Sequence, residues 1–356
     1  MNIATTIPIQ NIYYLLCYAW NKLDERDVVN VSGIDTTNLV DLFSKVLLGG
    51  MNHLLKRGLD RGYLLFSEDT CALKGKFSFN HTIKRNLLIK AQVHCEYDEL
   101  SHNILHNRII KSTIWELICI EAIDKTLKNE LIGLYRRLHE IDGIKLTGVL
   151  FNRVQLHQNN SFYDFLLKIC ELVYDNLLVS EEPGKSKFRD FLRDERQMAG
   201  LFEEFIRKFY IIEAPYYHVG REDISWNVTA LDEISGSYLP KMTTDISIKS
   251  NTTKMIIDAK YYKEALAEYY DQEKIHSQNL YQIFAYLKNI EAKNDISGQC
   301  TGLLLYPTVS NEVNLNYMMS GHKLMIRTIN LNKPWQQIHK SMLEILNTGM
   351  QNVGTA

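Results

Sequence analysis

The sequence predicts a mixed α/β chain of two domains. Three observations carry that expectation. With 356 residues the chain is long enough for two separate cores. Helical and strand-like periodicities alternate along it. The segment "SEEPGKSKFRD", residues 180–190, sets Pro183, Gly184 and Ser186 between two helical patterns. The expected division is 1–185, an α+β domain, and 186–356, a sheet with helices on its faces.

Taken in order, "NIYYLLCYAWNKL" and "NLVDLFSKVLLGGMNHLLKRG" read as helices, the second interrupted at Gly49 and Gly50. "GYLLFSED", "CALKGKFSFN" and "QVHCEYDEL" read as strands, and "NRIIKSTIWELICIEAIDKTL" as one helix. "FYDFLLKICELVYDNLL" repeats apolar residues at helical spacing before the break, and "RQMAGLFEEFIRKFYIIE" does so after it. "KMTTDISIKSNTTKMIIDAKYY" reads as two strands joined at "SNTT". "KIHSQNLYQIFAYLKNI" is then a helix, "TGLLLYPTV" a buried strand, and "PWQQIHKSMLEILN" a closing helix with Pro334 near its first turn.

Composition narrows the classes of function. A hydrophobic fraction of 46% with 6 prolines argues for packed cores and against disorder. "MNIATTIPIQ" lacks the basic and apolar regions of a secretory leader, and no run approaches the roughly 18–20 apolar residues of a membrane span. A cytoplasmic protein is expected. The six cysteines are scattered without a CxxC pair, which predicts buried free thiols. The histidines, His276 included, show no ligand-like spacing. Net charge is −2, with 21 basic and 22 acidic residues through position 185 and 19 and 20 beyond it. Neither half is a basic clamp, so DNA affinity must come from local patches or a partner.

The chemistry centres on "MIIDAKYY", residues 255–262. In a strand, residues i and i+2 share a face, so Asp258 and Lys260 stand together. Asp245 in "TTDISI" lies on the preceding strand and can approach Asp258 if the two strands pair. Close carboxylates repel unless a cation lies between them or one keeps its proton. Mg²⁺ suits such a pair, since it takes one or two protein carboxylates and fills its shell with water and phosphate oxygens. Lys260 could then orient the attacking water or stabilise charge on phosphorus. A D-x-K tripeptide alone is commonplace and is usually a solvated strand end. Further elements make the set more specific: Gln282 and Tyr286 at i, i+4 on one helical face, and Glu203 on an apolar helix as a possible third metal ligand. Taken alone, Gln282 and Tyr286 read more readily as ordinary packing, and Glu203 as a solvated helix face.

The ordered set resembles the PD-(D/E)xK nuclease core, in the variety with the Q-xxx-Y motif seen in RecB-like nucleases. Together with "IPIQNIYYLLCYAW", "LKGKFSF", "NILHNRIIKSTI" and "HSQNLYQIFAYL", it resembles the McrC family, the nuclease subunits of McrBC modification-dependent restriction systems. The likeness runs from about residue 7 to about residue 335. It implies a restriction-endonuclease-like second domain, with a central mixed sheet flanked by helices. Asp245 would be the first motif acid, Asp258 the second and Lys260 the lysine, with Gln282 and Tyr286 supporting them. Thr244 stands where the motif has its nominal proline, and Asp258 replaces the commoner Glu. Glu203 is the weakest transfer.

The resemblance also implies a partner, an McrB-like AAA+ GTPase ring that reads modified double-stranded DNA. The chain has no G-x-x-x-x-G-K-[ST] loop, so GTP is expected on the partner. The N-terminal domain would dock on the ring and stimulate GTP hydrolysis. Candidate partner or DNA contacts are Lys74, Lys76, Lys84 and Arg85 in the basic segment, and Arg108 in "NRIIKSTI". Two competing readings are a regulatory subunit with a degenerate nuclease fold and a RecB-like repair exonuclease. The intact Asp245, Asp258 and Lys260 argue against the first, and the N-terminal motifs against the second.

Overall fold

A computed structural model describes residues 7–23, 38–156, 160–179, 186–189, 192, 194–232, 234–235, 238–261, 267–269, 272–292 and 300–351. Most of the expected 180–190 break therefore lies outside the described residues. The chain falls into two compact units that differ from the expected split at the N-terminus. One contains Met1–Asp27, Ser32–Leu39 and Asp190–Ala356, the other Val28–Val31 and Val40–Arg189. The first helix, α1 (Ile9–Ala19), accounts for the difference. Its face carrying Tyr14 and Tyr18 packs on Phe205, Phe209 and Trp335, all in the C-terminal unit. Asn11 fixes its pitch, donating from Nδ2 to the carbonyls of Leu331 at 2.7 Å and Lys333 at 2.9 Å.

In the N-terminal unit, α2 (Leu39–Arg57) runs unbroken through Gly49 and Gly50, contrary to the expected interruption. A Cβ on Gly50 would lie 2.5 Å from Leu166 Cδ2, so glycine here serves close helix packing, not a turn. Next come β1 (Gly62–Thr70), the short β2 (Lys76–Phe77), α3 (Phe79–Lys84), a 3₁₀ turn at Leu87–Lys90, and β3 (Val93–Ser101). The expected strand over residues 71–80 shrinks to two residues, because Gly75 (φ +57°) turns the backbone before it. The three strands form an antiparallel sheet in the order β1-β3-β2.

The expected single helix after Asn107 is two: α4 (Leu105–Cys119) and α5 (Lys125–Arg137). Asp124 starts the second as its N-cap, accepting from the Thr126 and Leu127 amides. Then follow α6 (Gly148–Arg153), α7 (Ser161–Asp175) and the paired β4 (Leu177–Val179) and β5 (Ser186–Phe188). The buried faces of α2, α4 and α7 supply this core.

The C-terminal unit opens with α8 (Glu195–Glu213), capped by Asp194. It continues through β6 (His218–Gly220), β7 (Asp223–Ile224), β8 (Met242–Thr243), β9 (Ile246–Lys249), β10 (Lys254–Ala259), β11 (Ala267–Tyr269), β12 (Gln272–Lys274) and α9 (Ser277–Ala292). β13 (Cys300–Thr308), β14 (Asn314–Met319), β15 (His322–Asn330) and α10 (Trp335–Met350) complete it. The mixed six-stranded sheet has the order β14-β15-β13-β10-β9-β6, with β10, β13 and β15 parallel and the others antiparallel to their neighbours. The expected mixed α/β class, a central mixed sheet with flanking helices, is what the structure shows. Gly302 on β13 leaves room for α9, since a Cβ there would lie 2.9 Å from Ile283 and 3.0 Å from Leu287. Against the opposite face, Gly349 of α10 comes close to Met255 of β10.

All six cysteines are free, but not all are buried. Cys71 is exposed and Cys119 half-buried, because the first sits in the loop after β1 and the second at the end of α4. No helix among the described residues is long and apolar enough to cross a membrane.

Candidate active site

The β9–β10 pairing builds the site. Its register sets Lys249 opposite Lys254, Ser247 opposite Ile256 and Ile246 opposite Ile257. Directly opposed residues of an antiparallel pair share a face, and alternate residues do too. Asp245, just before β9, and Asp258, near the end of β10, therefore occupy the same end of the same face, the one α9 covers. The Asp245 carboxylate reaches across and accepts the Ala259 amide at 2.9 Å.

Asp258 is fully buried, and neither of its carboxylate oxygens has a hydrogen-bond partner. The Lys260 ammonium lies 3.0 Å from one of them, an ion pair without hydrogen-bond alignment. Burial pushes the Asp258 carboxyl up to about 7, and Asp245 adds to the shift while Lys260 opposes it. A buried carboxylate that no hydrogen bond satisfies, with a lysine ammonium against one oxygen and a second carboxylate beside it, is an environment a hard cation stabilises. The residues present thus fit Mg²⁺, with Asp245 and Asp258 to hold it.

Lys260 is held from two sides. Its amide donates to the Leu305 carbonyl at 3.0 Å, which prolongs the β10–β13 pairing past Ala259. Its ammonium donates to Gln282 Oε1 at 3.1 Å. Gln282 Nε2 donates in turn to the Tyr286 hydroxyl at 2.9 Å, and that hydroxyl donates to the Thr243 carbonyl at 3.1 Å. The helix pair thereby ties the lysine to the backbone two residues before Asp245. Tyr286 is buried, and desolvation raises its pKa, so it stays a donor.

Glu203 is not brought to this pair by any described contact. Its carboxylate receives Nε of Arg221 at 3.1 Å, and Arg221 Nη2 closes on the same oxygen. Arg207 lies 3.8 Å away. Two guanidinium groups compete with any cation for it.

The second carboxylate beside the site is Glu222, which the sequence reading passed over. Its Oε1 receives the ammonium of Lys254, a fully buried side chain, at 2.5 Å, and its Oε2 receives the Ser247 hydroxyl at 2.8 Å. Burial pushes Glu222 up, but Lys254 and Ser247 outweigh it and hold the carboxyl below its usual range. A signal was present. Lys254, Ile256 and Asp258 alternate along one buried face, and a lysine there requires an acid.

The candidate contact residues lie in the N-terminal unit. Lys76 and Lys84 are exposed. Lys74 sits 3.5 Å from Glu68 and over the Tyr97 ring, and Arg85 lies 3.3 Å from Asp69. The segment is thus less basic in space than in sequence. Arg108 is half-buried on α4, with its Nε enclosed and without a hydrogen-bond partner. The expectation that no histidines cluster is corrected. His81 and His94 come together with Glu96, although the two histidines stand 13 positions apart in the chain.

Comparison with known proteins is specific. The family described as McrBC 5-methylcytosine restriction system component matches residues 10–307. The Type IV methyl-directed restriction enzyme EcoKMcrBC of Escherichia coli K12 is 35% identical over 341 residues, covering 96% of this chain and 97% of that protein. Among solved structures, a half-complex of Thermococcus gammatolerans McrB AAA+ hexamers with bound McrC aligns with a TM-score of 0.62 at 18% identity. That alignment covers 96% of this chain and 76% of the other, and it bears on the fold.

Proposed function

The chain belongs to the McrBC 5-methylcytosine restriction system component family, and from that premise we propose that it is the DNA-cleaving subunit of a modification-dependent restriction complex. It hydrolyses phosphodiester bonds of methylcytosine-containing double-stranded DNA, as an endonuclease of the PD-(D/E)xK type. The observation that carries this reading is Asp258, fully buried without a hydrogen bond to either carboxylate oxygen, ion-paired with Lys260 and across the strand pair from Asp245. Asp245 and Asp258 would hold Mg²⁺. When bound, the ion supplies Lewis acidity toward a phosphate oxygen. Lys260, oriented by Gln282, sets a fixed positive charge where negative charge develops on phosphorus. Tyr286 holds Gln282 in that pose.

The near-neutral charge supports division of labour with an McrB-like AAA+ GTPase ring, which binds GTP and recognises the modified base. The N-terminal unit, residues 40–189, is the part that docks on the ring and stimulates it. Alternate residues Tyr63 and Leu65 of β1 are 72% and 69% exposed, an apolar surface suited to a protein partner, with Lys76 and Lys84 exposed in the same unit.

The test combines the purified chain with its cognate GTPase, GTP, Mg²⁺ and a plasmid carrying methylcytosine. Cleavage is expected only with all components, and Asp258→Ala is expected to abolish it. Cleavage by Asp258→Ala at the wild-type rate overturns the assignment.

A further inference from the structure

We propose that His81, His94 and Glu96 form a binding site for a divalent transition ion of the Zn²⁺ class in the N-terminal unit, separate from the acidic pair. Their ligand atoms lie within 4.8 Å of one another, with His94 buried, Glu96 half-buried and His81 exposed. A four-coordinate Zn²⁺ with bonds of about 2.0–2.1 Å sets its ligand atoms about 3.3 Å apart. His81, on the exposed face of α3, is the one free to close that gap.

The surroundings prepare the ligands. His94 Nδ1 meets Asp69 Oδ1 at 2.6 Å. Arg85 lies 3.3 Å from the same carboxylate. With Asp69 accepting from Nδ1, the neutral ring offers its lone pair at Nε2. That lone pair takes the Ser67 hydroxyl at 2.8 Å, a bond that rotation of the serine releases. Carboxylate–histidine pairs of this kind fix the tautomer of metal-ligating histidines and raise their basicity. His81 Nδ1 is likewise engaged by Ser78 Oγ at 2.9 Å, which leaves Nε2 as the nitrogen available to an ion.

The backbone holds the two rings together. The Ser78 amide donates to the His94 carbonyl at 2.9 Å, and the His94 amide to Thr82 Oγ1 at 2.9 Å. α3 is thus pinned to β3, and the ring centroids lie 4.9 Å apart. Glu96 follows His94 by two residues and shares its face of the sheet. Two imidazoles and one carboxylate suit Zn²⁺ or a neighbouring transition ion, whereas Mg²⁺ prefers oxygen alone. A bound ion would staple α3, and with it Lys84, to the sheet.

The test is calorimetric titration of Zn²⁺ into the chelator-stripped full-length chain carrying Asp245→Ala and Asp258→Ala, which removes the other acidic site. One ion per chain is expected, with a rise in melting temperature that excess Mg²⁺ does not reproduce. His81→Ala, an exposed change, and Glu96→Gln should each weaken binding by at least about tenfold, and Asp69→Asn by about 10–100-fold. Equal Zn²⁺ affinity in the parent, His81→Ala and Glu96→Gln chains overturns the site, as does the absence of saturable binding.

Discussion

Thr244 and Glu222 exchange two hydrogen bonds. The Thr244 amide donates to the Glu222 carbonyl at 2.9 Å, and the Glu222 amide donates to Thr244 Oγ1 at 3.0 Å. This exchange locks the strand entering Asp245 to the residue whose carboxylate neutralises buried Lys254. A proline at position 244, the residue the nuclease motif nominally carries, could make neither bond. We predict that Thr244→Pro destabilises the chain by about 2–5 kcal/mol, from two lost bonds and the unpaired buried groups they leave. Thr244→Ser keeps both bonds and should stay within about 1 kcal/mol of wild type. Urea unfolding measures both, and an unperturbed Thr244→Pro would dismiss the lock.

A second prediction concerns the cost of the acid in metal-free protein. Burial raises the Asp258 carboxyl to about 7 in the folded chain, from the ordinary 3.8 of an exposed aspartate. The folded state therefore keeps a proton that the unfolded chain gives up between those values. Stability falls as pH rises from about 4 to 7, and the full penalty is present above 7. Asp258→Asn should melt higher than wild type without divalent ions, by at most about 4 kcal/mol above pH 7 and by little near pH 4. Adding Mg²⁺ should stabilise wild type and leave the variant unmoved. A pH-independent difference between the two proteins would contradict this account.

The parts of the site that were legible in the sequence are those whose spacing encodes a face. Asp258 and Lys260 at i, i+2 on a strand, and Gln282 and Tyr286 at i, i+4 on a helix, meet as their periods require. Lys254 on a buried strand face calls for an acid, but its identity as Glu222 was not legible, because the two lie 32 residues apart and only the folded sheet brings them together. Gly49 and Gly50 mislead for a related reason: local punctuation suggests a turn, whereas the demand on Gly50 comes from Leu166 of another helix. The β14–β15 hairpin escaped notice although Ser320 and Gly321 turn it with φ of 50° and 89°. "NLNYMM" alternates too weakly to mark an edge strand by itself. α1 joined the C-terminal unit through Tyr14 and Tyr18, aromatic residues whose partners nothing in the local sequence names.

A third prediction separates positioning from chemistry. Tyr286 touches neither carboxylate in any described hydrogen bond, and it acts through Gln282 on Lys260. Tyr286→Phe should lower the cleavage rate by about 10–100-fold, the usual cost of losing a supporting hydrogen bond at such a site. It should leave Mg²⁺ affinity unchanged, since Asp245 and Asp258 are untouched. Lys260→Ala should stop cleavage and likewise retain the ion. Loss of Mg²⁺ binding in Tyr286→Phe would mean the tyrosine shapes the carboxylate pair itself.

The last prediction concerns separation of the two activities proposed for the chain. The acidic pair lies in the unit containing Asp190–Ala356, and the docking surface is assigned to Val40–Arg189. Asp245→Ala and Asp258→Ala should therefore bind the GTPase ring and stimulate GTP hydrolysis as wild type does, while cleaving nothing. Charge reversal at Lys84 and Arg85 should do the opposite if that segment meets the ring. Stimulation falls, and cleavage falls with it, although Asp245, Asp258 and Lys260 are intact. Arg85 also neutralises Asp69, so Lys84→Glu alone is the cleaner variant, because Lys84 is exposed and its loss leaves the Asp69 pair in place. The measurement is the partner's GTPase rate with each variant, alongside plasmid cleavage. If folded Asp245→Ala and Asp258→Ala proteins fail to stimulate, the C-terminal unit must itself touch the ring, and the assignment of docking to residues 40–189 alone is wrong.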